Sequence, residues 1–419
     1  CLRNIEEFYK LLKRNKKNDD STFVDTIRKL YKEMKHTEDD SIVPLNFRRL
    51  FGSKFEIFQG FMQNDAQEAL NCIFQTIHQE TAHKRECIFT GDLDDLIEQR
   101  VSILDQLKSD IPLEEKQEII KTYRRSLRTH DKYTLFEANR ALKSIGLNDG
   151  VSMISHLFSG MTCTRTQCPD SGHFSLRFDP FNMLPIEIPE VEEEEPDFSF
   201  DFSDDEDKLT PIKDLIPRES NTFELVDNLE DEFTIDSMPP KKEIKIEVSI
   251  EETKEPEPEV ESPVVDTSLN TCIKNYFASE TLDDDNKWYC EELDEQVNAI
   301  RTTNIWSQPK YLVLVLKRFK FTNYGGGKKV RTLIEYPLED LDISDYIHPE
   351  AGFIPHKYNL ISVVNHIGGL NGGHYYSYSK SGDKWFELND SHTKEINLEK
   401  IVNKNAYILI YQRSPLSPT

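Results

Sequence analysis

The sequence predicts an α+β fold in which helices come first along the chain and antiparallel strands follow. Up to about residue 150, apolar residues recur at spacings of three and four, which is typical of amphipathic helices. Beyond that point, β-branched and aromatic runs alternate with turn residues, which is typical of strands. A chain of 419 residues that is 37% hydrophobic can form one large domain or two ordinary ones.

Three stretches within the first 85 residues predict helices. Residues 5–14 and 21–34 have helical spacing, and Ser21 is a candidate N-cap for the second. The third stretch is 64–80, where Asn64 is placed to cap the helix. Its apolar face is formed by Ala66, Leu70, Ile73 and Ile77.

Residues 92–145 predict further helices, and the strands come after them. One apolar stripe in this region is formed by Leu96, Val101, Leu104 and Leu107. The predicted strands are 174–181, 311–321, 358–366, 374–380, 384–388 and 406–413.

The charge distribution is uneven and excludes two classes of partner. A net charge of −25 argues against non-specific nucleic-acid binding and against docking on anionic membranes. Residues 190–266 carry 28 Asp and Glu against 7 Lys and Arg. Such a segment cannot bury enough apolar surface to offset its ordering entropy, so we expect a disordered acidic insertion. It would serve either as a solvated spacer or as a docking segment for a protein partner.

The cysteines and the apolar runs indicate a cytoplasmic or nuclear protein. The longest wholly apolar run, 311–316, is too short to span a bilayer, and no charged-then-apolar leader opens the sequence. Seven scattered cysteines fit reduced thiols better than a disulfide framework.

The segment around His374 has the composition of a hydrolase site. Gly372 and Gly373 precede this histidine and would let another backbone approach closely. One imidazole nitrogen can serve a nucleophile if an Asn or Asp holds the other, and Asn389 follows after a turn. On spacing alone, an ordinary strand histidine with a satisfied hydrogen bond explains the same residues.

Several ordered motifs resemble the ubiquitin-specific proteases, the papain-like deubiquitinases. "YNLISVVNHIGGLNGGHYYSYSK" with "KWFELNDS" resembles the histidine box of that family, and "QNDAQEAL" at 63–70 resembles its glutamine-aspartate-alanine box. "YLVLVLKRFKF", "YPLEDLDIS", "NAYILIYQR" and "WYC" at 288–290 are similar to its other blocks. The resemblance implies a papain-like cysteine protease fold with a helical thumb, a β-rich palm and β fingers.

This resemblance assigns catalytic roles by position. It implies that His374 is the general base, that Asn389 orients it, and that Asp390 is an auxiliary polar group near the oxyanion or the histidine. The rival reading is a non-catalytic ubiquitin-binding or scaffold protein. Cleavage of a ubiquitin-like modifier is a third alternative.

The same resemblance implies a substrate site for ubiquitin and ubiquitinated proteins. Asp65 would hold the extended backbone of the ubiquitin tail, whereas on its own it is a carboxylate favoured at a helix start. Tyr375 would line the narrow channel for the tail glycines, next to Gly372 and Gly373.

The nucleophile that the family requires is missing from the sequence. The Gly-Asn-Thr-Cys block of the family is absent, and the residues after Cys1 do not match it. We therefore expect a truncated enzyme that is inactive without its nucleophile, with Cys1 as nucleophile and natural loss of the block as the alternatives. Cys72 is expected in the core, and Cys87 has no motif around it.

The fingers of this family usually hold a structural zinc ion, and here the ligand pattern is degenerate. The first cysteine pair is stretched to Cys163 and Cys168, and Cys290 lacks its partner because Leu293 occupies that position. Three thiols remain, and His173 would be a fourth ligand only if its loop folds back. We expect no required cofactor and a zinc site that is a relic.

We expect a single deubiquitinase catalytic domain over 1–413 that lacks its N-terminal start, followed by a tail at 414–419. Its predicted parts are a helical thumb (1–85), a helical insertion (86–150), fingers (151–189 and 267–310), the acidic insertion (190–266) and a palm (311–413).

Overall fold

The structure is a computed structural model. It describes residues 1–14, 22–36, 41–60, 63–89, 91–191, 265–321, 326–352, 356–370 and 372–415. The candidate cap Ser21, nearly all of the acidic insertion and most of the tail lie outside these residues. Within them, the α+β class is confirmed.

The helices precede most of the strands, as the apolar spacing predicts. They are α1 (Glu6–Arg14), α2 (Phe23–His36), α3 (Leu45–Lys54), α4 (Ala66–Thr81), α5 (Asp94–Lys108), α6 (Leu113–Arg128), α7 (Tyr133–Asn148), α8 (Met153–Phe158) and α9 (Leu269–Tyr276). The cap of α4 is Asp65 and not Asn64, because the Asp65 carboxylate accepts the backbone N–H groups of the first turn. None of the described helices has the length and apolar character needed to cross a membrane.

The strands form two main sheets. In chain order they are β1 (Gly160–Gln167), β2 (Phe174–Phe181), β3 (Leu184–Ile186), β4 (Glu280–Leu282), β5 (Trp288–Cys290), β6 (Glu295–Val297), β7 (Ala299–Ser307), β8 (Tyr311–Leu316), β9 (Phe319–Phe321), β10 (Gly327–Lys329), β11 (Leu341–Asp342), β12 (Lys357–Gly368), β13 (Gly373–Ser381), β14 (Lys384–Asn389), β15 (His392–Ile396) and β16 (Ala406–Arg413). The larger sheet has the order β15-β14-β13-β12-β16-β8-β3, with β11 beside β12, and the smaller has β2-β1-β7-β4.

Strand β8 explains how the larger sheet is covered on both faces. All six of its residues are buried, because successive side chains point to opposite faces and each face has its own core. Tyr311, Val313 and Val315 pack with α1, α2, α4 and α8. Leu312 and Leu314, with Leu316, pack on the other face with α9. The sheet therefore holds the helical layer on one side and leaves its strand ends to form the site.

Helices α5 to α7 make a small core of their own. That core contains Leu93, Leu96, Leu127 and Phe136. The predicted stripe of α5 is buried only in part, since Val101 is 53% exposed and Leu104 is 46% exposed. Helix α7 joins this group to the smaller sheet through Ala138, which packs with Met161 and Trp306.

Candidate active site

A cavity of about 450 Å³ lies where the start of α4 meets the ends of β8, β12 and β13. Its lining includes Asp65 from the helical side, Phe319 from β9, and three residues of the larger sheet, His366, Tyr375 and Tyr407. These side chains are far apart in sequence and converge because α4 packs against the same sheet face that carries them.

Asp65 connects the helical layer to the sheet through both carboxylate oxygens. Oδ1 accepts the backbone N–H of Gln67 at 2.7 Å and of Glu68 at 3.1 Å, which caps α4. Oδ2 accepts the hydroxyl of Tyr407 at 2.7 Å and that of Tyr375 at 3.4 Å. Burial first, and then the nearby Asp65 carboxylate, raise the pKa of both tyrosines, so both hydroxyls keep their protons and donate.

His374 and Asn389 are brought together by the β13–β14 hairpin. The imidazole Nε2 of His374 lies 2.7 Å from Oδ1 of Asn389. The carboxylate Oδ2 of Asp390 is 3.8 Å from the same nitrogen, and the Asp390 backbone is left-handed with φ of 50°. Because Nε2 is occupied, the second nitrogen, Nδ1, is the one left for a reacting group.

The two glycines before His374 allow close backbone contacts. The backbone N–H of Gly373 donates to Oε1 of Gln63 at 2.5 Å, which ties the residues preceding α4 to the first residue of β13. A Cβ at residue 373 would lie well inside van der Waals contact with Nε2 of His366 and the carbonyl oxygen of Ile367. At Gly372 a Cβ would approach Oε1 of Gln63 to 3.1 Å. The close packing at residue 373 therefore requires glycine.

No thiol contacts His374 among the described residues, which include all seven cysteines. The hydrogen bonds and ion pairs of His374 in that part of the chain go to Asn389 and Asp390. Sγ of Cys1 lies 4.0 Å from Oγ of Ser379. Ser379 is five residues beyond His374 on β13, a separation of about 17 Å along the strand. Cys1 is therefore distant from the imidazole.

The structure does not bring together the three cysteines considered as metal ligands. Cys168 and Cys290 share a small buried cluster, whereas Cys163 packs in a separate one with Trp306. Cys163 and Cys168 are five residues apart, which is about 17 Å at the strand spacing. In the described ranges no group of three His, Cys, Asp or Glu is placed to hold a metal ion.

Cys290 and His173 each contact a side chain that is not a thiol. The Ser171 hydroxyl lies 3.8 Å from Sγ of Cys290. His173, the candidate fourth ligand, directs its Nδ1 to Glu292 at 3.1 Å and stacks on Trp288. The donor set present does not fit a four-coordinate zinc site.

Sequence reasoning did not single out Gln63, His366 and Tyr407, which line the cavity, or Lys329 beside it. Gln63 lies inside the quoted "QNDAQEAL" motif, and its position two residues before Asp65 was the available signal. Tyr407 belongs to the predicted strand 406–413, whose apolar residues indicate only a buried strand. His366 and Lys329 are 37 residues apart, and only the fold places the Lys329 ammonium against the His366 ring.

Comparisons with known proteins show the family to which the chain belongs. The family described as ubiquitin carboxyl-terminal hydrolase matches residues 1–411. Probable ubiquitin carboxyl-terminal hydrolase R319 of Acanthamoeba polyphaga mimivirus is 30% identical over 392 residues, which cover 90% of this chain and 67% of that protein. Human ubiquitin carboxyl-terminal hydrolase 15 is 41% identical over 148 residues, 35% of this chain and 15% of that protein. The chain thus spans only a small part of some relatives.

A solved structure supports the fold. The SAGA Ubp8/Sgf11/Sus1/Sgf73 DUB module bound to ubiquitin aldehyde aligns with a TM-score of 0.56 at 19% identity, over 100% of this chain and 66% of that one. The likeness bears on the fold alone, while the family match extends over nearly all of the sequence. The chain belongs to the ubiquitin carboxyl-terminal hydrolase family.

Proposed function

We propose that this chain carries the base and the tail-binding groups of a deubiquitinase, a thiol hydrolase that cleaves isopeptide bonds at the C-terminal glycine of ubiquitin. The observation that carries the proposal is the 2.7 Å contact between Nε2 of His374 and Oδ1 of Asn389, next to the cavity. Asn389 holds the ring so that Nδ1 can take a thiol proton.

The reaction follows from this placement of protons. A cysteine thiol gives its proton to Nδ1 of His374, and the thiolate attacks the carbonyl carbon of the terminal glycine. A tetrahedral oxyanion forms, and its collapse releases the lysine amine with the proton held by His374. Water, deprotonated by the same imidazole, hydrolyses the thioester and regenerates the thiol. Asp390, 3.8 Å from Nε2, stabilises the imidazolium only weakly because its side chain is 79% exposed.

Recognition of the ubiquitin tail is assigned to the cavity. Asp65 accepts four hydrogen bonds, so a tail N–H must replace or share one of them. The 3.4 Å bond from Tyr375 is the longest and the easiest to give up. The tail would therefore bind by displacing the Tyr375 hydroxyl while the Tyr407 bond and the helix cap remain. Gly372 and Gly373 give the tail room to pass.

A second function, non-catalytic ubiquitin binding, is favoured by one observation. Among the described residues no thiol contacts His374, and Cys1 lies beside Ser379 instead. We infer that these residues bind ubiquitin but do not cleave it without a further cysteine.

The test uses ubiquitin whose C-terminus carries a thiol-reactive group. The chain, its Cys1→Ser variant and its His374→Gln variant are incubated with this probe and weighed by mass spectrometry, with His36→Gln on α2 as the matched control. We expect no covalent adduct with any of them. A ubiquitin-sized mass gain that is lost in Cys1→Ser and in His374→Gln, but kept in His36→Gln, would make Cys1 the nucleophile.

Binding measurements distinguish ubiquitin from a ubiquitin-like modifier as the ligand. Calorimetry with unmodified ubiquitin, with ubiquitin lacking its last two glycines, and with a ubiquitin-like modifier measures what the cavity accepts. We expect binding to ubiquitin that weakens when the glycines are removed. Tighter binding to the modifier would reassign the substrate, and absence of binding to all three would contradict the proposal.

A further inference from the structure

A basic pair, the buried His366 and the half-buried Lys329, lies beside the cavity and has no part in the mechanism above. The Lys329 ammonium donates to the backbone carbonyl oxygen of His366 at 2.6 Å and lies 3.0 Å from Nδ1 of the same residue. In the described part of the chain, no carboxylate forms an ion pair with Lys329. Its neighbour Lys328, in contrast, pairs with Glu190 at the surface.

The contact between the two side chains decides where the imidazole proton sits. An ammonium group only donates hydrogen bonds, so Nδ1 of His366 must accept, and a neutral ring then carries its proton on Nε2. Burial, followed by the charge of Lys329, lowers the pKa of His366 to about 4. Burial also lowers the pKa of Lys329 to about 8. Near neutral pH the pair therefore holds its charge on the lysine.

The ring of His366 is held firmly and lines the cavity. The residue is 4% exposed, and its ring centroid lies 4.6 Å from that of Tyr375 and 5.3 Å from that of Phe319. Its Nε2 packs against Gly373, at the position a Cβ there would need. No described residue accepts a hydrogen bond from this nitrogen. This nitrogen is nevertheless not one of the fully buried polar atoms that lack a partner, so it stays accessible from the cavity that His366 lines, where an acceptor can reach it.

We propose that Nε2–H of His366 donates a hydrogen bond to a backbone carbonyl of the extended tail in the cavity, and that Lys329 is the positioning residue that fixes this tautomer. This inference rests on the proposed function, because it takes the ubiquitin tail as the ligand. It adds a donor to a cavity whose other polar anchor, Asp65, is an acceptor. An extended peptide offers both N–H and C=O groups, and the two anchors would hold one of each.

The tautomer is tested by nitrogen NMR of the full chain labelled with ¹⁵N-histidine. The His366 signals are those absent from His366→Gln. We expect a pyridine-like Nδ1 and a pyrrole-like Nε2 at pH 7. In Lys329→Met this pattern should give way to mixed tautomers, while Lys328→Met should leave it unchanged. A pyrrole-like Nδ1 in the unsubstituted chain, or a spectrum that Lys329→Met does not alter, would overturn the role of Lys329.

The donor role is tested by calorimetry with ubiquitin, and with ubiquitin lacking its last two glycines. His366→Phe keeps the ring packing and removes the N–H, so we expect about 2- to 10-fold weaker binding of intact ubiquitin and unchanged binding of the shortened form. His366→Gln, whose amide N–H can occupy the Nε2 position, should restore most of the affinity. Equal loss for both ligands would show a merely structural role and overturn the proposal.

The experiments distinguish a failure of the proposed function from a failure of the donor role of His366. If the unsubstituted chain does not bind ubiquitin, the proposed function fails and the donor role fails with it. If it binds ubiquitin and His366→Phe binds equally well, only the donor role fails.

Discussion

Replacing His366 by Gln should change how the stability of the protein depends on pH. The pKa of His366 is about 4 in the folded protein, against 6.5 for an unperturbed histidine. Below pH 6.5 the unfolded chain takes up a proton that the folded protein refuses, so the free energy of unfolding falls as the pH falls towards 4. At about 1.4 kcal/mol for each pKa unit, the full loss is on the order of 3 kcal/mol, and about 2 kcal/mol of it is reached by pH 5.

The groups facing His366 set the direction of this effect. Lys329 is charged throughout the range and opposes protonation of the ring, whereas Asp65 favours it more weakly, and Tyr375 stays neutral. His366→Gln removes the titrating ring but leaves these neighbours in place.

Urea unfolding of both proteins between pH 7 and pH 5 measures the difference. We expect the unsubstituted chain to lose about 2 kcal/mol more than His366→Gln over this range, because contributions from other groups largely cancel between the two proteins. Parallel curves would refute the reasoning, since they would mean that the ring titrates alike in the folded and unfolded states.

The remaining predictions concern stability at neutral pH, measured by urea unfolding. Tyr407→Phe should cost about 1.5–3 kcal/mol because it removes a 2.7 Å hydrogen bond to the Asp65 carboxylate. Tyr375→Phe, which removes a 3.4 Å bond to the same oxygen, should cost less than about 1 kcal/mol; equal costs would contradict this ranking. Gly373→Ala should cost about 3 kcal/mol, because the added methyl would overlap the buried imidazole and a backbone carbonyl. Gly382→Ala, where φ is +60° and the surroundings are open, should cost about 1 kcal/mol. A larger loss at residue 382 than at residue 373 would refute the packing argument.

The fold was predictable wherever one periodicity persisted over a whole element. The predicted strands 174–181 and 406–413 match β2 and β16 in both bounds, because turn residues and side-chain alternation mark their ends. Helix α3 was missed, since its apolar residues cover only about two turns and are followed directly by a glycine. Strand β7 was missed because much of it is polar and only partly buried.

The site was predictable only where its residues are close in sequence. His374 and Asn389 are 15 residues apart and form one hairpin, so their contact could be anticipated from a turn between two strands. Tyr407 reaches Asp65 across 342 residues, and no local pattern encodes that contact. The spacing of Cys163 and Cys168 suggested two ligands of one zinc site, and it was a poor guide for a related reason. Spacing along the chain does not show that Cys163 points into a different cluster from Cys168.

The hairpin that joins His374 to Asn389 makes the geometry of the catalytic base independent of the position of the nucleophile. Both groups lie on β13 and β14, so their mutual geometry is set within a single continuous stretch of fewer than 20 residues. A nucleophile presented from outside this hairpin would meet a ready-made proton acceptor. Small rigid movements of the helical layer would then change the approach distance of the nucleophile, while the contact between His374 and Asn389 stayed the same. An engineer could therefore graft or adjust the nucleophile without redesigning its base.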